Sequence, residues 1–184
     1  LHDALPILWL FWPSFTSAVV APELGYLTVL NTVLALCGST LATYVFSKLI
    51  RGKIEVEDIA NAALAGGVCI GSTCSTANPG FAMVIGICAG TLSTLGFAII
   101  APKVCKLIRG TDTCGVHNLH GMPGLLGGLF GIAITGNVGV QVGAVVATVV
   151  VGLVLGRVCG AILGLFGTKE VPYSDEGDFL LEEE

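Results

Sequence analysis

Long apolar runs separated by short polar segments make up most of the chain. A helix needs about 20 apolar residues to cross the hydrocarbon core of a bilayer. The predicted spans are Leu8–Val20, which is short and interrupted by Pro13, Thr28–Ser47, Ile59–Thr76, Phe81–Ala101, Cys114–Thr135 and Val138–Phe166. The connections carry turn signals such as Asn78-Pro79-Gly80. This pattern predicts an all-α polytopic membrane protein with about six transmembrane helices.

The composition agrees with a bilayer environment. Charged residues make up 11% of the chain, against about 25% in soluble domains. The chain also has 26 glycines, which are costly in soluble helices but allow helices in a membrane to approach closely. We therefore expect glycines such as Gly121, Gly124 and Gly127 to serve helix packing. Trp9 and Trp12 are expected to form an interfacial aromatic belt.

The positive charges predict the orientation. If the spans alternate, the connections 48–58 and 103–112 and the segment after 167 lie on one side and hold seven of the eight lysines and arginines. The remaining cation, Arg157, lies within the last span. The positive-inside bias then places these connections and the C-terminus in the cytoplasm.

Both ends of the chain differ from its middle. Residues 1–7 do not fit the membrane pattern, so we predict a non-native leader there. Six of the thirteen acidic residues lie in the last ten positions, and residues 169–184 are predicted to form an acidic cytoplasmic tail. The predicted membrane domain is residues 8–168.

Very few ionisable residues lie at membrane depth, and such residues are functional candidates by default. Asp112 lies at the cytoplasmic mouth of the fifth span, where its carboxylate can cap the helix that follows or act in function. His120 is eight residues further, about 12 Å along a helix and near the bilayer midplane. A neutral imidazole can both donate and accept a hydrogen bond, so His120 and, with less support, His117 are candidates for contact with a small solute.

Other chemistry finds little support in the sequence. The seven cysteines form neither a CxxC motif nor a zinc-ligand spacing, so no metal site or cofactor is expected. His117 and His120 belong to one helix and cannot take both faces of a haem. No set of nucleophile, base and acid is visible. We expect neither an enzyme nor a nucleic-acid partner.

Three motifs, LWLFWPSFTSA, NAALAGGVCIG and DTCGVHNLHGMPGLLGG, occur in this order along the chain. In sequence and separation they resemble the second half of Rh glycoproteins, within the ammonium transporter superfamily. The resemblance covers residues 8–168. It implies the second half of a fold with 11–12 spans, built from two inverted-topology repeats. It also implies a homotrimer in the plasma membrane, with one narrow hydrophobic pore in each subunit.

The resemblance assigns roles to individual residues. The family's His-Gly-x-x-Gly pattern falls on residues 120–124, which makes His120 the second member of the paired pore histidines; the first belongs to the other half of the family's fold. Phe15 matches the phenylalanine of the outer vestibule. Asp112 and Glu55 match acids of the cytoplasmic vestibule. Thr16 stands where asparagine usually follows the vestibule phenylalanine.

The function implied by the resemblance is conduction of ammonium or ammonia, with carbon dioxide as a second solute. The cation would be held at the mouth and deprotonated, and neutral ammonia would cross the dry pore. An Rh-type membrane scaffold that conducts nothing is the alternative. Retention of His120 and Phe15 favours the channel.

Overall fold

Helices joined by short turns make up the described part of the chain. The computed structural model describes residues 4–112 and 115–167, and these contain no β-strand. The helices are α1 (Ala4–Ser17), α2 (Gly25–Arg51), α3 (Val56–Asn61), α4 (Ala65–Ile70), α5 (Pro79–Leu95), α6 (Ala101–Ile108), α7 (Met122–Thr135) and α8 (Val138–Gly164). The predicted all-α architecture is confirmed. The predicted acidic tail, 169–184, lies outside the described residues.

Two compact units divide the chain. The first is Leu1–Val145 and the second is Val146–Glu184. Within the described residues, the second unit consists of the later part of α8 and the turn that follows it. The candidate site residues all belong to the first unit.

Three helical stretches in the described chain are long and apolar enough to cross a membrane without interruption. They are Pro22–Arg51, Pro79–Ile108 and Val138–Gly164. They correspond to the second, fourth and sixth predicted spans. The first predicted span is a short helix, and the third and fifth are assembled from shorter pieces. The apolar runs were located correctly, but hydropathy does not detect where a helix breaks.

The third predicted span, Ile59–Thr76, is discontinuous. A 3₁₀ turn at Ala62–Leu64 separates α3 from α4, and α4 ends at Ile70. Ser39 of α2 lies at this break, where its hydroxyl donates to the carbonyl of Ala62 at 2.7 Å and accepts from the N–H of Gly66 at 3.0 Å. Because broken helices at membrane depth need partners for their free backbone groups, this serine explains how the interruption is tolerated.

The fourth span extends seven residues beyond the predicted end at Ala101. A π-helical turn at Gly96–Ile100 connects α5 to α6, and Pro102 occupies the first turn of α6. Proline has no N–H to donate to the preceding turn, so it fits where the hydrogen-bonding pattern has already shifted. The predicted boundary falls just before Pro102, whereas the helix continues through this proline after the π turn.

The core lies between α2, α4 and α5. Ala35, Leu36, Ile70 and Ile85 are fully buried there. A Cβ placed on Gly86 would collide with the backbone of Ala35, so α2 and α5 meet backbone to backbone. Such approach through small residues replaces the hydrophobic driving force that is missing between helices in lipid.

A buried asparagine ties the N-terminal part of α2 to the turn after α4. The Asn31 amide donates to the carbonyls of Cys74 and Ala77, at 2.8 and 2.7 Å. Asn31 is fully buried. It satisfies two carbonyls where α4 has ended and regular helix hydrogen bonding has stopped. This clip fixes the third span against the second.

Candidate functional site

The three sequence motifs meet at Trp12. Its indole stacks on the imidazole of His120, with ring centroids 6.3 Å apart and planes 18° apart. A Cβ on Gly67 would lie 2.6 Å from Trp12 Nε1, so the absence of a side chain at Gly67 makes room for the indole. The sequence predicted that Trp12 belongs to an interfacial belt, but its indole packs against other helices of the chain. It connects α1, α4 and the segment that carries His120.

Phe15 continues this arrangement along α1. Its ring meets Trp12 edge-on, with centroids 6.3 Å apart and planes 76° apart. Phe15 is 66% exposed, and an apolar surface groove runs along Leu8, Phe11, Trp12 and Phe15. We call the three successive rings of Phe15, Trp12 and His120 the ring row. The ring row brings two predicted site residues, Phe15 and His120, to one side of the first unit, with Trp12 between them.

His120 belongs to a π-helical turn, His117–Gly121, that precedes α7. The N–H of Met122 donates to the carbonyl of His117, five residues earlier, which defines the wider turn. His117 and His120 are both exposed, while Asn118 and Leu119 between them are buried. π turns within α-helices are frequent at functional sites. His117 makes no ring contact comparable with that of His120 to Trp12.

Asp112 caps the segment that carries the histidines. Its Oδ1 accepts from the N–H of His117 at 3.0 Å, and its Oδ2 accepts from the amide of Asn118 at 2.8 Å. The capping interpretation is therefore confirmed. Both carboxylate oxygens are used locally, and the side chain is half-buried. A role for Asp112 toward a cation stays a prediction.

Glu55 lies beside a buried ion pair that the sequence analysis missed. Its carboxylate pairs with Lys53 at 3.0 Å near the surface, and its N–H donates to the Ser47 hydroxyl at 3.1 Å. That hydroxyl donates to Asp58 at 2.7 Å. Asp58 is fully buried and also accepts from Arg51 Nε at 2.9 Å and from its Nη2 at 3.1 Å. The signal in the sequence was an acid, Asp58, seven residues after Arg51, but only the folded chain shows that the two side chains pair.

Thr16 does not share the exposed face of Phe15. Its side chain is buried, its hydroxyl donates to the carbonyl of Pro13 at 3.1 Å, and it lies 2.8 Å from the Thr32 hydroxyl. Successive residues of a helix point in directions about 100° apart, so Thr16 faces α2 while Phe15 faces outward. The Thr16 hydroxyl therefore joins α1 to α2. A role for Thr16 in the outer vestibule stays a prediction.

This chain is similar to known proteins of one family. The model of the Ammonium Transporter Family matches residues 5–176. The Ammonium transporter Rh type B of Papio hamadryas is 47% identical over 133 residues, which cover 70% of this chain and 29% of that protein. The Ammonium transporter Rh type A of Canis lupus familiaris is 47% identical over 130 residues, covering 68% of this chain and 31% of that protein.

A solved structure shares the fold. It is that of Nitrosomonas europaea Rh50, of the Rhesus protein family of channels, with a TM-score of 0.88 and 48% sequence identity. The match covers 95% of this chain and 46% of the Rh50 chain, so this chain spans less than half the length of each of these relatives. The apolar helices and the matches together describe a multi-pass membrane protein. The chain belongs to the Ammonium Transporter Family, as a member of its Rh type.

Proposed function

We propose that this chain forms part of a membrane channel for ammonium and ammonia, in which neutral ammonia passes along the ring row. The observation that carries the proposal is the stack of Trp12 on His120, with Phe15 next in the row. The imidazole is the one ring of the row that can both donate and accept a hydrogen bond, so it offers a small solute a hydrogen-bonding site in a dry path. Membership of the family supports the same solute.

The energetics favour a neutral species in such a path. The idealised cost of moving an ammonium-sized ion from water into a low-dielectric medium is about 20 kcal/mol. A neutral group that leaves water without a replacement hydrogen bond costs roughly 4 to 8 kcal/mol. Removal of one proton at the mouth therefore lowers the barrier much more than one polar side chain in the path could. The imidazole of His120 then offers a hydrogen bond to the neutral solute without a permanent charge.

Other residues take positions around this path. Phe15 would narrow the outer entrance, since its ring is exposed at the far end of the ring row. Asp112 and Glu55 would supply negative charge at the cytoplasmic mouth, and His117 would lie between that mouth and His120. The proposed assembly is a homotrimer in the plasma membrane with its C-terminus in the cytoplasm, and the other pore histidine belongs to the half of the relatives that this chain does not cover.

The decisive test is transport by the full-length protein in proteoliposomes. His120→Ala should change ammonia or methylammonium flux by about tenfold or more, because it removes the only imidazole of the row, the ring that can both donate and accept a hydrogen bond. His117→Ala is measured beside it, and we expect a smaller loss of flux than in His120→Ala because His117 contacts no ring of the row. Carbon dioxide flux, measured on the same vesicles, tests the second solute.

A non-conducting scaffold is the alternative. It predicts that flux through the wild-type protein equals that of empty vesicles, and that neither histidine variant changes it. Conduction by the wild type that is lost with His120 supports the channel. Wild-type conduction that persists unchanged in His120→Ala would show that His120 has no part in the path.

A further inference from the structure

Asn118 and Ser93 hold the turn that carries His120 from two sides. We propose that these two side chains are positioning residues, which fix the π turn and thereby aim the imidazole of His120 along the ring row. This inference rests on the proposed function and assigns a task to two buried residues that contact no solute. Neither was predicted from the sequence.

The first connection comes from α5. The Ser93 hydroxyl donates to the backbone carbonyl of Asn118 at 2.9 Å, and both residues are buried. The second comes from the segment before the turn, where the Asn118 amide donates to Asp112 Oδ2 at 2.8 Å. Asp112 Oδ1 in turn accepts from the N–H of His117. The backbone at Asn118 is thus tied to a neighbouring helix, and its side chain to the start of its own.

The π turn after α5, Gly96–Ile100, packs against the π turn that carries His120. Gly96 begins the π turn that follows α5, and a Cβ at this position would lie 2.8 Å from Asn118 Oδ1 and would collide with the end of Met122. The approach is possible only because Gly96 has no side chain. The two irregular turns are therefore in close contact at Gly96.

The consequence for His120 is geometric. A π turn contains one residue more than an α turn, and one residue of an α-helix corresponds to a rotation of about 100°. If the turn at His117–Gly121 relaxed to α-helix, the imidazole would rotate away from Trp12 by an angle of that order. The stack with 18° between ring planes would be lost. A buried hydroxyl on α5 thus controls the direction of a ring that it does not touch.

The test compares Ser93→Ala with Thr94→Ala in the full-length protein. Both remove one buried hydroxyl from adjacent positions of α5. The Thr94 hydroxyl donates to the carbonyl of Gly90 within its own helix at 2.8 Å, whereas that of Ser93 reaches the turn of His120. We expect Ser93→Ala to lower ammonia flux about tenfold and to alter its pH profile, while Thr94→Ala retains both. Melting temperatures of the two purified variants control for a general loss of stability.

A double-variant cycle separates positioning from other effects. If Ser93 acts through His120, then Ser93→Ala should have no further effect on flux in a His120→Ala background. An equal effect in both backgrounds, or equal flux in Ser93→Ala and Thr94→Ala, would overturn the positioning role. If His120→Ala conducts like the wild type, the proposed function fails. A cryo-EM structure of Ser93→Ala then decides the positioning role alone, which is refuted by a retained π turn with an unmoved imidazole.

Discussion

Gly67 offers the sharpest perturbation of the ring row without altering a member of it. In Gly67→Ala, the new Cβ would lie 2.6, 2.7 and 2.8 Å from three atoms of the Trp12 indole. An ordinary contact begins at 3.4 Å, so the ring must move by roughly 0.8 Å, or the backbone must yield, in a closely packed site. Trp12 stacks on His120, so the displacement passes directly to the imidazole.

The expected effect is larger on conduction than on stability. Overpacking of this kind costs about 1 to 3 kcal/mol, which leaves most of a membrane protein folded. A displacement near 1 Å at a functional group can cost up to about 100-fold in rate, and we expect a loss of roughly tenfold in ammonia flux. Stopped-flow measurements on proteoliposomes containing the full-length variant check the flux, and thermal unfolding in detergent checks the stability.

Gly25→Ala is the matched control. Gly25 is also helical, at the start of α2, and a Cβ there would meet no atom within 4 Å. Flux should therefore equal that of the wild type. Wild-type flux in Gly67→Ala, in a protein whose structure shows the indole displaced, would refute the view that the stack of Trp12 on His120 matters for conduction.

Two further predictions concern stability. Asp58→Asn should lower the free energy of unfolding by about 2 kcal/mol, because Arg51 loses its ionic partner but remains 28% exposed. Lys53→Met removes the surface pair with Glu55 and should lower the free energy of unfolding by less than about 1 kcal/mol. Denaturant titration measures both variants. Equal effects of these two variants would contradict the importance of the buried pair. Asn31→Ala should cost about 2 to 3 kcal/mol because it strands two buried carbonyls, whereas Asn61→Ala removes only an exposed hydrogen bond and should be nearly neutral. Comparable melting temperatures for the two asparagine variants would refute the proposed clip.

The sequence predicted the location of the apolar helical runs because length and apolarity constrain membrane helices strongly. It did not predict the breaks. The interruption at Ala62–Leu64 depends on the hydroxyl of Ser39, which is more than twenty positions away in the chain. The continuation through Pro102 depends on a π turn packed against Asn118. Both features are tertiary, and periodicity within one segment carries no information about them.

Only part of the candidate site could be predicted, because local spacing is visible in the sequence whereas contacts between helices are not. The capping role of Asp112 followed from local spacing, and the structure shows it. Trp12 was misread because an aromatic residue near a helix end resembles an interfacial anchor until its neighbour is known. The contact of Thr16 with Thr32 of α2 could not be predicted, because it joins residues sixteen positions apart in the chain. The pairing of Asp58 with Arg51 required knowledge of the turn between α2 and α3.

A cryo-EM structure of the full-length protein in lipid nanodiscs tests the channel proposal most directly. We expect the imidazole of His120, still stacked on Trp12, to border a narrow continuous passage inside one subunit, with the second pore histidine opposite. Density for lipid acyl chains against that imidazole, or helices packed on it with no passage beside it, would contradict the proposal.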